Sequence, residues 1–463
     1  MDQVYFIARG MLGIVAILGI AYLASSNKKA VDGNLVASGL ILQLILALFI
    51  LKTDLGVAIF GKLGNAITKI LDYASVGGQF VFGVLGKKDV LGRVFGPENA
   101  VIFSFSILIP TIILVCVLVA IGYYFGIIQK IVQILASAVH FLMKVSGAEA
   151  LSNVASAFVG QVEAQIMIRP YLATMTKSEM LASMTGSMAC IAGGVMAIYI
   201  TMGVPASYLL AASLMAAPGA LVISKIFLPE TEVSQTIGKV KLEVKKEYSN
   251  LIDAISGACS DGLRISLNVI AMIVGFLALI ALMDGLFGKL GGTLNYFAMM
   301  IEAKSGFNLP DLDLTHLTLK SMLGIVFSGF AWLMGVPNQD IWTVGGLIGT
   351  KFVSNEFVAY FDLTQMHHLD PKSFAIVSFA LCGFANLSSV GIQIGGISVL
   401  VPERRAELSA LGLKALVCGT LASYLSATIA GMLYSIKLDQ TFWYLIIILL
   451  AVGLTLYNSK FRK

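Results

Sequence analysis

Val353-Ser354-Asn355-Glu356-Phe357-Val358-Ala359 sets an amide beside a carboxylate inside an apolar run, and 26 positions after that acid the chain reads Cys382-Gly383-Phe384-Ala385-Asn386-Leu387-Ser388-Ser389. The first half holds a counterpart, Val159-Gly160-Gln161-Val162-Glu163-Ala164, followed 27 positions after its acid by Cys190-Ile191-Ala192-Gly193-Gly194-Val195. Each half thus reads as an apolar segment interrupted by an amide and an acid, then a long apolar helix interrupted by small residues. That is the pattern of a membrane transporter built from two related repeats.

A carboxylate at the centre of a bilayer costs at least about 2.5 kcal/mol and persists only where something compensates it. A hydrated cavity, a bound cation or a hydrogen-bonding substrate each suffices. Gly193-Gly194 and Ser388-Ser389 are expected to break their helices, turning backbone N–H and C=O groups toward such a cavity. The structural alternatives are that Glu163 pairs with Arg169 and that Glu356 caps a helix end. Two acids in matching contexts favour two buried carboxylates at the centre of a transport site.

The rest of the chain supplies the membrane. Of 463 residues, 12% are charged and 58% hydrophobic, with a mean hydropathy of +0.89, whereas soluble domains carry about 25% charged residues. A spanning helix takes about 20 mostly apolar residues, and runs of that kind occupy residues 4–24, 35–51, 100–125, 180–202, 206–228, 267–286, 374–400, 411–433 and 442–457. Residues 57–85, 127–143, 148–173 and 315–361 are apolar but interrupted, which predicts interfacial helices or re-entrant hairpins. The expected fold is an all-α polytopic membrane protein built from two related repeats.

The first run ends in Ser25-Ser26-Asn27-Lys28-Lys29 without a small-x-small cleavage pattern, so it is expected to be retained as a span. Basic residues set the orientation. Lys28 and Lys29, then Lys239, Lys241, Lys245 and Lys246, then Arg404 and Arg405 alternate consistently if the amino terminus is outside and these loops are inside. The basic stretch 52–93 runs against that assignment. Lys460, Arg462 and Lys463 suit an inside carboxyl terminus and so nine spans rather than eight. The formal charge of +5 follows from such anchors, and no nucleic-acid partner is implied. Cys116, Cys190, Cys259, Cys382 and Cys418 form no C-x-x-C pair, so neither a disulfide framework nor a zinc site is expected.

The segments G-Q-x-E-A (Gly160 to Ala164), N-E-F-V-A (Asn355 to Ala359) and C-G-F-A-N-L-S-S (Cys382 to Ser389) resemble those of the concentrative nucleoside transporters, and the resemblance runs from roughly Ile14 to Met432. It implies a multi-pass plasma (inner) membrane protein of bacterial type. It also implies an inverted-repeat transporter with two re-entrant helical hairpins and broken transmembrane helices, and a homotrimer whose subunits each pair a scaffold with a mobile transport domain, moving as an elevator. By that division, residues 1–147 hold scaffold spans and interfacial helices, and 148–228 the first hairpin and broken helix plus a scaffold span. Residues 229–265 form a polar loop and amphipathic segment, and 266–335 a scaffold span and connecting helix. The second hairpin and broken helix lie in 336–403, and C-terminal spans with an extra last helix in 404–463.

Carried over by motif, Gln161 and Glu163 read the nucleobase, with Val162 between them and Val195 beside it. Glu356, next to Asn355, binds the ribose hydroxyls together with Asn386 and Ser389, while Phe384 packs near the sugar or base. A carboxylate accepting from two vicinal hydroxyls makes charge-assisted bonds, so a deoxyribose is expected to bind less well. Two positions depart from the family pattern. Val162 stands where Thr or Ser is usual and cannot hydrogen-bond, and Gln165 stands where Pro is common.

The resemblance also implies a coupling cation, H+ or Na+, and no other cofactor. In sodium-coupled relatives the ion is held by backbone carbonyls with an Asn and a Ser side chain; the matching positions are Ser156, Val159, Cys190 and Ile191. A thiol is a poor ligand for a hard cation, which favours the proton slightly, with Glu163 or Glu356 as the titrating group. A passive channel for a small polar solute is the alternative class. An intramembrane enzyme lacks any nucleophile or metal constellation, and no P-loop, HExxH, GxSxG or dinucleotide fingerprint is visible. His367-His368 reads as a hydrated loop, and Asp340 as a helix-start residue.

Overall fold

The computed structural model describes residues 2–87, 90, 91, 93, 102–236, 248–305, 318–436 and 439–460. Lys239, Lys241, Lys245, Lys246, Arg462 and Lys463 lie outside the described residues, as do the first residues of the 100–125 run. Among the described residues every regular element is helical.

The chain opens with α1 (Asp2–Leu23), α2 (Gly33–Lys52), α3 (Asp54–Asp72) and α4 (Ala74–Phe82). Two series of elements then follow in the same order. The first is α5 (Ile109–Tyr124), α6 (Ile127–Met143), half-helices α7 (Gly147–Ser156) and α8 (Glu163–Ile166), the split pair α9 (Lys177–Ala189) and α10 (Gly193–Thr201), and α11 (Ala206–Phe227). The second is α12 (Leu251–Ser305), α13 (Leu319–Leu333), half-helices α14 (Ile341–Val353) and α15 (Glu356–Gln365), the split pair α16 (Pro371–Leu381) and α17 (Leu387–Leu400), and α18 (Arg405–Tyr434). A last helix, α19 (Gln440–Lys460), packs on α2.

Seven helical segments among the described residues, with the split pair α9 and α10 counted as one, are long and apolar enough to cross a membrane. They include α11 and α18, which pack on each other and bury most of their length at the centre of the molecule. The 374–400 run is not one span: it divides into α16 and α17, each shorter than a bilayer crossing. The 267–286 run is the middle of the 55-residue α12, in which no proline occurs to end the helix.

Both breaks fall a few residues before the expected positions, at residues 190–192 and 382–386. Gly193 and Ser389 belong instead to the first turns of the second half-helices. The Gly193 N–H donates to Phe158 O at 3.3 Å, and the Ser389 N–H donates to the N-cap Asn386 Oδ1 at 2.9 Å, so these residues restart a helix rather than interrupt one. The hairpin arms are fixed in the same way. Ser146 with Glu149 and Thr176 with Glu179 form capping boxes at the starts of α7 and α9, and Asn355 caps α15 by accepting from Val358 N at 3.0 Å.

Asp340 immediately precedes α14 without capping it; its carboxylate accepts from the Asp370 N–H at 3.0 Å, tying the start of α14 to the start of α16. His367 and His368 lie exposed in the loop after α15.

Candidate transport site

The two breaks meet. The Phe384 N–H donates to Cys190 O at 3.3 Å, and Gly383, at φ +121°, passes so near the first break that a Cβ there would lie 2.5 Å from Ala189 O. Only glycine serves at that crossing. Because each break frees backbone groups from its own helix, the crossing satisfies some of them and leaves others. The carbonyls of Val159 and Ile191 receive no hydrogen bond among the described residues.

Glu356 occupies the first position of α15, so the helix-start alternative describes its backbone. Its side chain reaches beyond that helix. Glu356 is 5% exposed; its Oε2 accepts from Asn386 Nδ2 at 2.8 Å and its Oε1 from the Tyr199 hydroxyl at 3.2 Å. A carboxylate offers about four lone-pair positions, so two such donors orient it without saturating it. Asn386 is also the N-cap of α17, which makes one amide the link between the second hairpin and the helix after the second break. Ser389 is buried one turn into α17, and Phe384 is half-buried beside the crossing.

Tyr199 is the residue the sequence reading did not single out. It is fully buried on α10, four positions after Val195, and stacks on Tyr360 with ring centroids 4.3 Å apart. The Tyr360 hydroxyl in turn donates to Ser378 O at 2.6 Å. The available signal was helical spacing, which puts Tyr199 and Val195 on one face; the partner of that face is set by the crossing and is not visible in sequence.

The first hairpin is arranged differently, and Glu163 is not buried. It is exposed at the start of the one-turn helix α8, whose inward side carries Ala164 and Gln165. Its carboxylate folds back over Gly160, where a Cβ would lie 2.0 Å from Oε2. No ion pair joins it to Arg169 among the described residues. Gln161 is half-buried, and its Oε1 is a buried acceptor without a hydrogen-bond partner among the described residues. Val162 packs against Gly396 of α17, bringing the first hairpin tip to the second split helix.

Gln165 is fully buried and uses both ends of its amide. Nε2 donates to Ser187 Oγ at 2.9 Å, and Oε1 accepts from Ser183 Oγ at 2.7 Å. Ser187 Oγ also lies 3.0 Å from Ser156 Oγ, whose hydroxyl is 2.7 Å from Ser152 O. Cys190 points away from this cluster, with Sγ 3.7 Å from Ser213 O. Ser156 and the Cys190 side chain thus have different partners, whereas the Val159 and Ile191 carbonyls receive no hydrogen bond among the described residues.

Two split helices crossing at their breaks, each preceded by a half-length hairpin, define a membrane transporter of the alternating-access kind. The comparisons agree. Family models described as Na+ dependent nucleoside transporter N-terminus and C-terminus match residues 12–85 and 208–431, and one described as nucleoside recognition matches 105–206. The chain is 40% identical to an uncharacterized transporter of Bacillus subtilis, covering 91% of this chain and 98% of that one. It is 34% identical to the nucleoside permease NupC of Helicobacter pylori, covering 91% and 96%. The structure of CNTnw in an inward-facing substrate-bound state matches with a TM-score of 0.84 at 35% identity, over 94% of this chain and 100% of that one. A CNTnw variant in an outward-facing state matches at 0.82 and 36%, over 92% and 97%. The chain belongs to the concentrative nucleoside transporter family. It is a multi-pass plasma-membrane transporter and not an enzyme.

Proposed function

We propose that this protein imports nucleosides by cation-coupled secondary active transport, with an elevator-type movement providing alternating access. The observation that carries this reading is Glu356, a buried carboxylate aimed by Tyr199 and Asn386 with acceptor capacity to spare. Two vicinal ribose hydroxyls are the donors such a group fits, and charge-assisted bonds to them are about twice as strong as neutral ones. Asn355, Asn386, Ser389 and Phe384 complete the ribose side. Gln161, Val162 and Glu163, with Val195, form the base side, where the unpartnered Gln161 Oε1 awaits a donor.

The coupling ion in this reading is the proton ahead of sodium. Ser156 is engaged with Ser152 and Ser187, and Cys190 offers a thiol directed at Ser213 O, a poor match for a hard cation. The subunits assemble as a homotrimer, and the first and second hairpins, with their split helices, travel together as the moving body.

Proteoliposomes test the reading. Labelled uridine or adenosine is expected to accumulate above its external concentration under an inward proton gradient, with little change on replacing choline by sodium at fixed pH. Absence of uptake of any nucleoside under either gradient overturns the transport reading. Strict sodium dependence overturns the proton assignment alone.

A further inference from the structure

Lys351 is 2% exposed in the middle of the molecule, on α14, five positions before Glu356. Its Nζ donates to Ala380 O at 2.9 Å, one of the carbonyls at the end of α16 that no longer have a helical donor. Of the two other buried lysines among the described residues, Lys225 has Glu149 at 2.8 Å and Glu230 at 3.2 Å, and Lys372 lies over the Phe6 ring at 3.5 Å. No acid lies within 4.0 Å of Lys351 among the described residues. Burying an ammonium costs several kcal/mol unless something offsets it. The negative end of a helix dipole contributes part of that.

The acid next along the chain is Glu356, five positions on across the hairpin tip and itself buried. The other titratable groups facing this space are Tyr199 from α10, Tyr360 from α15 and Cys382 from the second break. Each is neutral in its ordinary protonation state near neutral pH. Lys351 and Glu356 are thus a buried base and a buried acid held apart, the first in the last turn of α14 and the second in the first turn of α15.

We infer that Lys351 is the fixed counter-charge of Glu356, a positioning residue that keeps the carboxylate ionised without occupying its lone pairs. A direct ion pair would neutralise Glu356 but consume the acceptors that a ribose needs. Separation across the hairpin tip keeps the charge and leaves the acceptors free. The significance for substrate rests on the ribose reading above; the charge coupling itself does not.

The test is a double-mutant cycle of Lys351→Met and Glu356→Gln in the purified full-length protein, read by melting temperature and uridine binding between about pH 5 and about pH 8. In Lys351→Met the loss of melting temperature is expected to grow as pH rises, because an ionised Glu356 then lacks its counter-charge. Adding Glu356→Gln is expected to recover most of that loss and flatten its pH dependence. Uridine affinity of Lys351→Met is expected to fall about tenfold at the acidic end, where Glu356 is neutral, and to recover toward the alkaline end, a slope the parent protein lacks.

A loss that is equal at every pH and persists in the double variant overturns the inference and leaves Lys351 as a cap of α16 only. If Lys351→Met does not fold, restoration of folding by Glu356→Gln supports the coupling, and failure to restore it overturns it. Should Glu356→Gln alone bind uridine and 2′-deoxyuridine as the parent does, the ribose reading falls while the melting-temperature cycle still decides the coupling.

Discussion

Asn386 joins the second break to the second hairpin through one side-chain amide: Nδ2 donates to Glu356 Oε2 at 2.8 Å while Oδ1 accepts from the Ser389 N–H at 2.9 Å. The two bonds do different things and can be separated. Asn386→Ser retains an N-cap acceptor, whereas Asn386→Ala removes it at a cost of about 1 kcal/mol. Both remove the donor to Glu356. Ribonucleoside binding is therefore expected to fall by about tenfold or more in both variants. Only the Ala variant is expected to show the additional stability loss, measured by thermal melting alongside equilibrium binding.

Glu356→Gln keeps the shape of the side chain and removes the charge. The expected outcome is weaker binding of uridine by about 1.5–3 kcal/mol, with 2′-deoxyuridine affected less because it offers one hydroxyl fewer. Expression and chromatographic behaviour are expected to change little by comparison. Equal loss of folded protein and of transport points to a structural role for Glu356 instead.

Tyr199→Phe deletes the donor to Glu356 Oε1 while the ring stays stacked on Tyr360. Uptake kinetics are expected to show a rise in the apparent KM for ribonucleosides of about fivefold, with the melting temperature nearly unchanged. Tyr199→Ala is expected to lower the melting temperature as well, since a buried aromatic contact and its volume are lost together.

Gly383→Ala tests the crossing of the two breaks. A residue at φ +121° with Ala189 O in the path of its Cβ pays backbone strain of order 1–3 kcal/mol and also forces the breaks apart. The folded fraction recovered from detergent is expected to drop sharply, and a normal yield with normal binding speaks against the close approach.

Gln165→Leu leaves Ser183 Oγ and Ser187 Oγ without their amide partner in a fully buried setting. A stability loss of about 1–3 kcal/mol is expected, read as a lowered midpoint in thermal melting. Sodium dependence of uptake measured in the same variant reports whether freeing Ser187, and through it Ser156, changes the coupling ion.

What could be read without coordinates follows from short-range physics. A 12% charged, 58% hydrophobic chain specifies a bilayer environment, and runs of about 20 apolar residues specify its helices. The interrupted apolar stretches at 148–173 and 315–361 specify segments that do not simply span, leaving interfacial helices or re-entrant hairpins, and a carboxylate within such a segment needs a compensating partner.

The tertiary structure decided which partners those are. Nothing local to Glu356 indicates that its donors come from Tyr199, 157 positions earlier, and Asn386, 30 positions later; only the crossing at Gly383 and Cys190 brings them there. The same packing left Glu163 exposed over Gly160 and enclosed Gln165, reversing the apparent symmetry of the two acids. Residue type and spacing determine that a charge must be compensated, and the long-range path of the backbone determines by what.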